Sequence, residues 1–187
     1  LNFDLSLPPN VPRLNHSGTS LIGGGGDAPS NIERNKEKAG RVFGVPLERL
    51  VIPHQVHGNS VIILDSLDSA SVKSYKGTDA DAVVTNVPGV PIGILTADCL
   101  PVLLYDPVKK VIAAAHAGWR GTLADVCGLT VAAMKEIFGS IPKDIIAALG
   151  PHIKPCCYAV NNDIYEAFEK AHGGDLSYFS RRGNSLT

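Results

Sequence analysis

The chain has 187 residues, 44% of them hydrophobic, and a formal net charge of −1. That composition suits one sizeable core, and charges scattered this evenly exclude a primary partner among nucleic acids or membrane surfaces. No apolar run reaches the ~18–20 residues of a membrane-spanning helix, and no charged-then-apolar leader follows Leu1. The four cysteines (Cys99, Cys127, Cys156 and Cys157) make no spaced framework, which points to reduced thiols and a cytoplasmic setting.

Residues 1–22 carry no assignable pattern. Gly23 to Gly26 is a loop that lacks the preceding strand of a dinucleotide fingerprint. Ser30-Asn31-Ile32-Glu33 has the form of a capping box and opens a helix ending at Phe43-Gly44. Arg34, Lys38 and Arg41 make its solvated basic face. Lys36 falls instead on the apolar stripe of Ile32, Ala39 and Phe43, with Asn35 beside it. A lysine there either snorkels out at the helix end or points its ammonium into a cavity.

Residues 50–65 read as two strands interrupted by His54-Gln55-Val56-His57-Gly58. His54 and His57 would lie on opposite faces of a straight strand, so one of them looks inward. Residues 78–86 and 92–96 follow as strands around a turn. Residues 100–105 and 111–115 are apolar strands joined by Tyr105-Asp106-Pro107-Val108-Lys109, a type I turn by its Asp and Pro. Centring that turn between Pro107 and Val108 sets Cys99 opposite His116, subject to a bulge that shifts the register by one or two.

After His116, Ala117-Gly118-Trp119-Arg120-Gly121 leads to a helix from Thr122, with Thr122 and Asp125 as a capping box. Its apolar stripe is Leu123, Val126, Cys127, Thr130, Met134 and Ile137, and it stops before Gly139. Arg120 beside that helix N-terminus suits an anion. Residues 145–149 read as a buried strand, and Asn162 caps a last helix running to about Ala171. Several strands per helix without strict alternation give an α+β fold, mixed sheets flanked by helices.

Strand ends that present Cys99, His116 and, as a third member, His57 suggest a metal or catalytic site. Cys127 reads as core, and Cys156 and Cys157 as structural. Two imidazoles and a thiolate admit three chemistries. Zinc would leave a fourth position for water, copper would resemble a blue-copper core, and without metal Cys99 and His116 make a nucleophile–base pair with Asp98 or His57 as orienter.

The segments HQVHG at 54–58, TADCLPVLLYD at 96–106, AAHAGWRG at 114–121 and LGPHIKPCCY at 149–158 closely resemble the YfiH/LACC1 family of multicopper polyphenol oxidase (laccase) domains. The resemblance runs from about Asn31 to about Phe168. It implies an α+β fold of mixed β-sheets sandwiched between helix layers, and a metal site of His57, Cys99 and His116. The family's members, first named laccase-like, are described as purine nucleoside phosphorylases acting on adenosine, inosine and methylthioadenosine, with adenosine deaminase activity. The family's usual Asn-Arg falls at Asn35-Lys36, and the lysine loses the bidentate fork of an arginine. We expect one domain over residues 1–187 that lacks the family's C-terminal segment.

On that resemblance we expect a metal-dependent purine nucleoside phosphorylase carrying Zn²⁺, with Cu²⁺ as the other candidate. Arg120, Lys36 and the Thr122 helix end would hold phosphate, Asp98 would carry a proton, and Asn35, Gln55 and Trp119 would contact the substrate. Trp119 and Tyr158 are candidates either for stacking on the base or for the core. A copper-dependent oxidase of phenols and a cysteine hydrolase using Cys99 are the alternatives. The remaining histidines (His16, His54, His152 and His172) form no His-x-His pair for a trinuclear copper cluster, and Met134 sits mid-helix, a poor axial ligand. Small molecules are the expected partners, with neither nucleic acid nor membrane.

Overall fold

The computed structural model describes residues 28–44, 49–65, 75, 78–173, 176–177, 179–182 and 185–187. The chain divides into two compact units, Leu1–Leu50 and Val51–Thr187. In the first, the described part centres on helix α1 (Pro29–Phe43), which starts with Pro at its first position and ends on Gly44 at a left-handed φ of 64°. The capping box expected at Ser30 is not used. Ala28 is the N-cap and has no side-chain oxygen to accept from the first turn, so no side chain caps the helix, and Pro29 takes its first position. Arg34, Lys38 and Arg41 are exposed, as is Asn35. The expectations for Gly23 to Gly26 and for the side chain of Lys36 lie outside the described residues.

The second unit is built on a five-stranded sheet of β1 (Val61–Leu64), β2 (Ala82–Thr85), β3 (Leu100–Asp106), β4 (Val111–Ala117) and β5 (Ile146–Leu149). The spatial order is β1-β2-β4-β3-β5, with β1 parallel to β2 and the other pairs antiparallel. Two short helices' worth of chain follows β4, as α2 (Trp119–Leu123) and α3 (Val126–Phe138), and α4 (Asn162–His172) closes the unit beside a small β6–β7 ribbon (Arg181–Arg182 and Ser185–Leu186). The α+β class with a mixed sheet is therefore as expected. Among the described residues no helix is long and apolar enough to cross a membrane.

Alternation in β2 and β4 feeds two cores. One face carries Ala82, Val84, Val102, Leu104, Val111, Ala113 and Ala115 against Val126 and Met134 of α3. The other carries Val83 and Ala114 against Val51, Ile62, Leu64 and Val90. Each fully buried Val, Leu or Met side chain contributes about 1.5–3 kcal/mol.

Several local expectations need correction. The hairpin pairs Leu100 with Ala117 and Asp106 with Val111, so its loop is the four residues 107–110 and His116 faces Pro101 rather than Cys99. Asp106 Oδ1 accepts from Val108 N at 2.8 Å and Lys109 N at 3.0 Å, and Lys110 turns left-handed at φ 54°, which lengthens the loop. The helix expected from Thr122 is broken. Thr122 N donates to Gly118 O inside α2, and Asp125, itself left-handed at φ 59°, caps α3 by accepting from Gly128 N. Ile137 is exposed rather than part of the stripe. The strand expected at 145–149 is an edge, not buried: Ile146 is 60% and Leu149 64% exposed. Residues 92–96 form only a bridge, between Ile92 and Val51. The last helix is capped by Asn161, one residue before the expected Asn162.

Candidate metal centre

Three elements deliver three side chains to one place. Cys99 immediately precedes β3, His116 is the next-to-last residue of β4, and His57 sits in the loop before β1. The candidate ligand atoms of His57, Cys99 and His116 all lie within 4.8 Å of one another. The two imidazoles meet edge to face with centroids 4.8 Å apart. Burial is graded: His116 is buried, Cys99 half-buried and His57 exposed, so the cluster opens on the His57 side. His54, the other histidine of that loop, points away and pairs with Asp79 at 2.7 Å on the surface.

With the register shifted, Cys99 stands opposite Gly118 just beyond the ladder. A Cβ at Gly118 would lie 3.0 Å from His57 Cδ2 and 3.1 Å from Cys99 Sγ. At Gly121 a Cβ would lie 2.9 Å from Gly58 O and 3.3 Å from His116 O. The glycines of the HAGWRG segment thus let α2 close against the ligand loop, and Asn59 Nδ2 ties that loop to Ala124 O at 2.9 Å.

The residue that sequence reading missed is Asp81. It is fully buried just before β2 and accepts from His116 Nδ1 at 2.8 Å and from the backbone N–H groups of Val56, His57 and Gly58. The available signal was an acid set directly before the wholly apolar Ala82-Val83-Val84, a costly place for a charge without partners.

Other expected site residues are distributed unevenly. Asp98 is exposed next to Cys99. Arg120 is exposed with its guanidinium 4.4 Å above the Trp119 ring. Gln55 is committed elsewhere: its amide donates to Leu95 O at 2.7 Å and accepts from Leu95 N at 2.6 Å, so it braces the loop. Cys127 packs on the core as expected. Cys156 and Cys157, read as structural, are instead both exposed, in a turn that leaves their Sγ atoms 3.3 Å apart.

Burial and neighbouring charges set the protonation of the cluster. Burial lowers the His57 pKa first, and His116 and Arg120 add to this against the opposing pull of Asp81, so the ring is neutral at pH 7. Burial pushes the Cys99 thiol up, with Asp98 and then Asp81 adding to it. A metal ion inverts that logic for a thiol, because the thiolate is stabilised by the cation. Tyr158 is likewise pushed up by burial and by Cys99, with Arg120 opposing, which sets its hydroxyl in the same neighbourhood. Donor atoms around a tetrahedral Zn²⁺ lie about 3.3–3.8 Å apart given bond lengths of about 2.0–2.3 Å, so a set whose atoms lie up to 4.8 Å apart closes on such an ion by contracting about 1 Å.

A pH dependence follows. The raised Cys99 thiol is protonated across neutral pH, so binding must displace one proton, whereas neutral His57 displaces none. Apparent zinc affinity should rise about tenfold per pH unit from about pH 7 to about pH 8.5. Chelator competition at three pH values checks this, and a flat profile would remove Cys99 from the ligand set.

A family profile described as multi-copper polyphenol oxidoreductase laccase matches residues 11–185. The chain belongs to that family. Relatives of this laccase family include a protein named purine nucleoside phosphorylase from Xylella fastidiosa (strain 9a5c), 41% identical over 171 residues, which cover 90% of this chain and 62% of the relative. A protein named adenosine deaminase RL5, from an unknown prokaryotic organism, is 35% identical over 162 residues, 84% of this chain and 61% of its own. The crystal structure of YlmD from Geobacillus stearothermophilus superposes with a TM-score of 0.74 at 26% identity, covering 87% of this chain and 61% of that one. The chain therefore spans about three-fifths of the length of these laccase-family relatives. The names of these relatives are of the phosphorylase and deaminase kind, and the family description is laccase-like.

Proposed function

We propose that the chain carries the centre of a metal-dependent purine nucleoside phosphorylase, acting on adenosine, inosine and methylthioadenosine, with adenosine deamination as a side reaction. The observation that supports this best is the company of the His57–Cys99–His116 cluster. Arg120 lies near enough to act on His57, and Asp98 near enough to act on Cys99; Trp119, the neighbour of Arg120, lines an apolar cavity. That cavity, of about 660 Å³, is lined by Trp119, Tyr158, Phe168 and Phe179 among others. Aromatic walls suit a planar purine, and a guanidinium suits a phosphate oxyanion.

A divalent cation held by the three ligands would supply Lewis acidity and an activated water. The remaining work falls to the chain. Arg120 binds the phosphate dianion and aims one oxygen at the sugar carbon that bears the base. As that bond forms, the bond to the purine nitrogen breaks with its electron pair going to the ring. Asp98 carries the proton the departing base requires, and Trp119 and Tyr158 hold the ring in place. Stacking Arg120 on Trp119 keeps the guanidinium pre-aimed.

The test is base release from inosine and adenosine by the metal-loaded protein, with and without phosphate. We expect phosphate-dependent hypoxanthine or adenine together with ribose 1-phosphate. Nucleosides that survive every combination of metal and phosphate would end this reading.

A second reading keeps the same ligands with copper and oxidises phenols. The family description favours it, as does a His₂Cys set that suits Cu²⁺ as well as Zn²⁺. It requires copper-dependent oxygen uptake with a phenol. The cysteine-hydrolase reading is the weakest, because burial and two nearby acids hold the Cys99 thiol protonated when no cation is bound.

A further inference from the structure

We propose that Asp81 is the positioning residue of this centre, one carboxylate that sets both the tautomer of His116 and the turn that presents His57. Its purpose rests on the metal reading above, but its geometry stands without it. Asp81 Oδ1 accepts from His57 N at 3.0 Å and His116 Nδ1 at 2.8 Å. Oδ2 accepts from Gly58 N at 2.6 Å and Val56 N at 3.2 Å. A carboxylate offers about four lone-pair directions, so every one of them is engaged.

Three of the four donors are backbone N–H groups, which can only donate, so Asp81 acts as an acceptor-only group. The fourth bond must then come from Nδ1–H of His116, which leaves the Nε2 lone pair directed away from Asp81 and ready for a cation. The backbone enforces this arrangement. His116 N donates to Asp81 O at 2.7 Å, which extends the β2–β4 ladder and sets the two side chains as cross-strand neighbours on one face.

The same carboxylate explains His57. Its φ is 59°, a left-handed conformation that residues with a side chain rarely adopt. Three successive N–H groups can converge on one anion only when the chain turns in this way. The anion is therefore supplied by the protein itself, and it holds His57 against its backbone preference at the mouth of the cluster. The proposal thus joins two ligands from distant parts of the sequence through one buried side chain.

Asparagine has the same shape but one acceptor oxygen. With that oxygen at the Oδ1 position, its NH₂ confronts the N–H groups of Gly58 and Val56. With the oxygen at Oδ2, the NH₂ confronts His57 N–H and drives the His116 proton onto Nε2. In either case one imidazole loses its support. Zinc binding by Asp81→Asn, measured by competition with a chromophoric chelator, should weaken about 10–100-fold, with a cooperative thermal melt retained. The control is Thr85→Val at the far end of the adjoining β2, where the buried hydroxyl donates to Leu64 O. It should lower the melting temperature and leave zinc affinity unchanged.

Wild-type zinc affinity in Asp81→Asn would overturn the proposal, as would an equal loss of affinity in Thr85→Val. Should Asp81→Asn fail to fold, the metal-free wild-type protein decides the question. ¹⁵N-histidine spectra should show His116 as the Nδ1–H tautomer, and an Nε2–H tautomer would refute the role. A wild-type protein that takes up no zinc removes the metal reading, while the tautomer still decides the role of Asp81.

Discussion

Cys99→Ala is expected to strip the protein of its metal and leave its fold in place. Cys99 is half-buried at the mouth of the β3–β4 hairpin, outside both cores of the sheet. Truncating it should change stability by about 1 kcal/mol, typical of a site without a core role. The effect on a cation is much larger. Structural zinc sites bind with about 10–16 kcal/mol from four ligands, so one thiolate carries about 2.5–4 kcal/mol, or roughly a hundredfold to several hundredfold in affinity. After equilibration with zinc and removal of excess, wild type should hold close to one ion per chain and Cys99→Ala little. Equal metal content in the two proteins would show that the cluster is not a metal site. The same preparation separates the chemical readings, because phosphate-dependent base release should fall together with the metal.

How far the sequence disclosed this centre depends on what each feature is made of. Cys99 and His116 were legible because the first opens an apolar run and the second closes one, and the class of fold was legible from the number of strands per helix. The hairpin register was not. The turn residues Asp106 and Pro107 match a two-residue type I turn, and nothing short of the observed left-handed Lys110 announces a four-residue loop. The two ligands still converge because Gly118, rather than His116, stands across from Cys99 and leaves the space open. The break at Asp125 was hidden for a related reason. Leu123, Val126 and Cys127 keep a helical period across it, so periodicity reads straight through a capping residue. Asp81 was hidden because an acid at a strand start looks like a solvated end, and only tertiary structure reveals the four donors around it. The exposure of β5 shows the converse limit: an apolar pattern identifies a strand, but not which faces are covered.

Gly118→Ala should separate the geometry of the centre from the stability of the fold more cleanly than any ligand substitution. Gly118 has φ −73° and ψ 169°, ordinary extended backbone that alanine adopts freely. Ala there stabilises by about 0.4–1 kcal/mol through the unfolded chain, against about 1–3 kcal/mol for an overpacked contact. The melting temperature should therefore move little. The new methyl would sit 3.0 Å from His57 Cδ2 and 3.1 Å from Cys99 Sγ, so both ligands must yield by a few tenths of an ångström. His57 has little room to do so, because its backbone N–H and both neighbouring N–H groups are bonded to buried Asp81. Cys99 is the freer of the two and should swing out, widening a three-ligand set that has to contract to close on an ion. We expect zinc affinity to fall about 10–100-fold, read by chelator competition alongside a thermal melt. An unchanged affinity would mean that the loop carrying His57 moves readily, and its fixing by Asp81 would have to be given up.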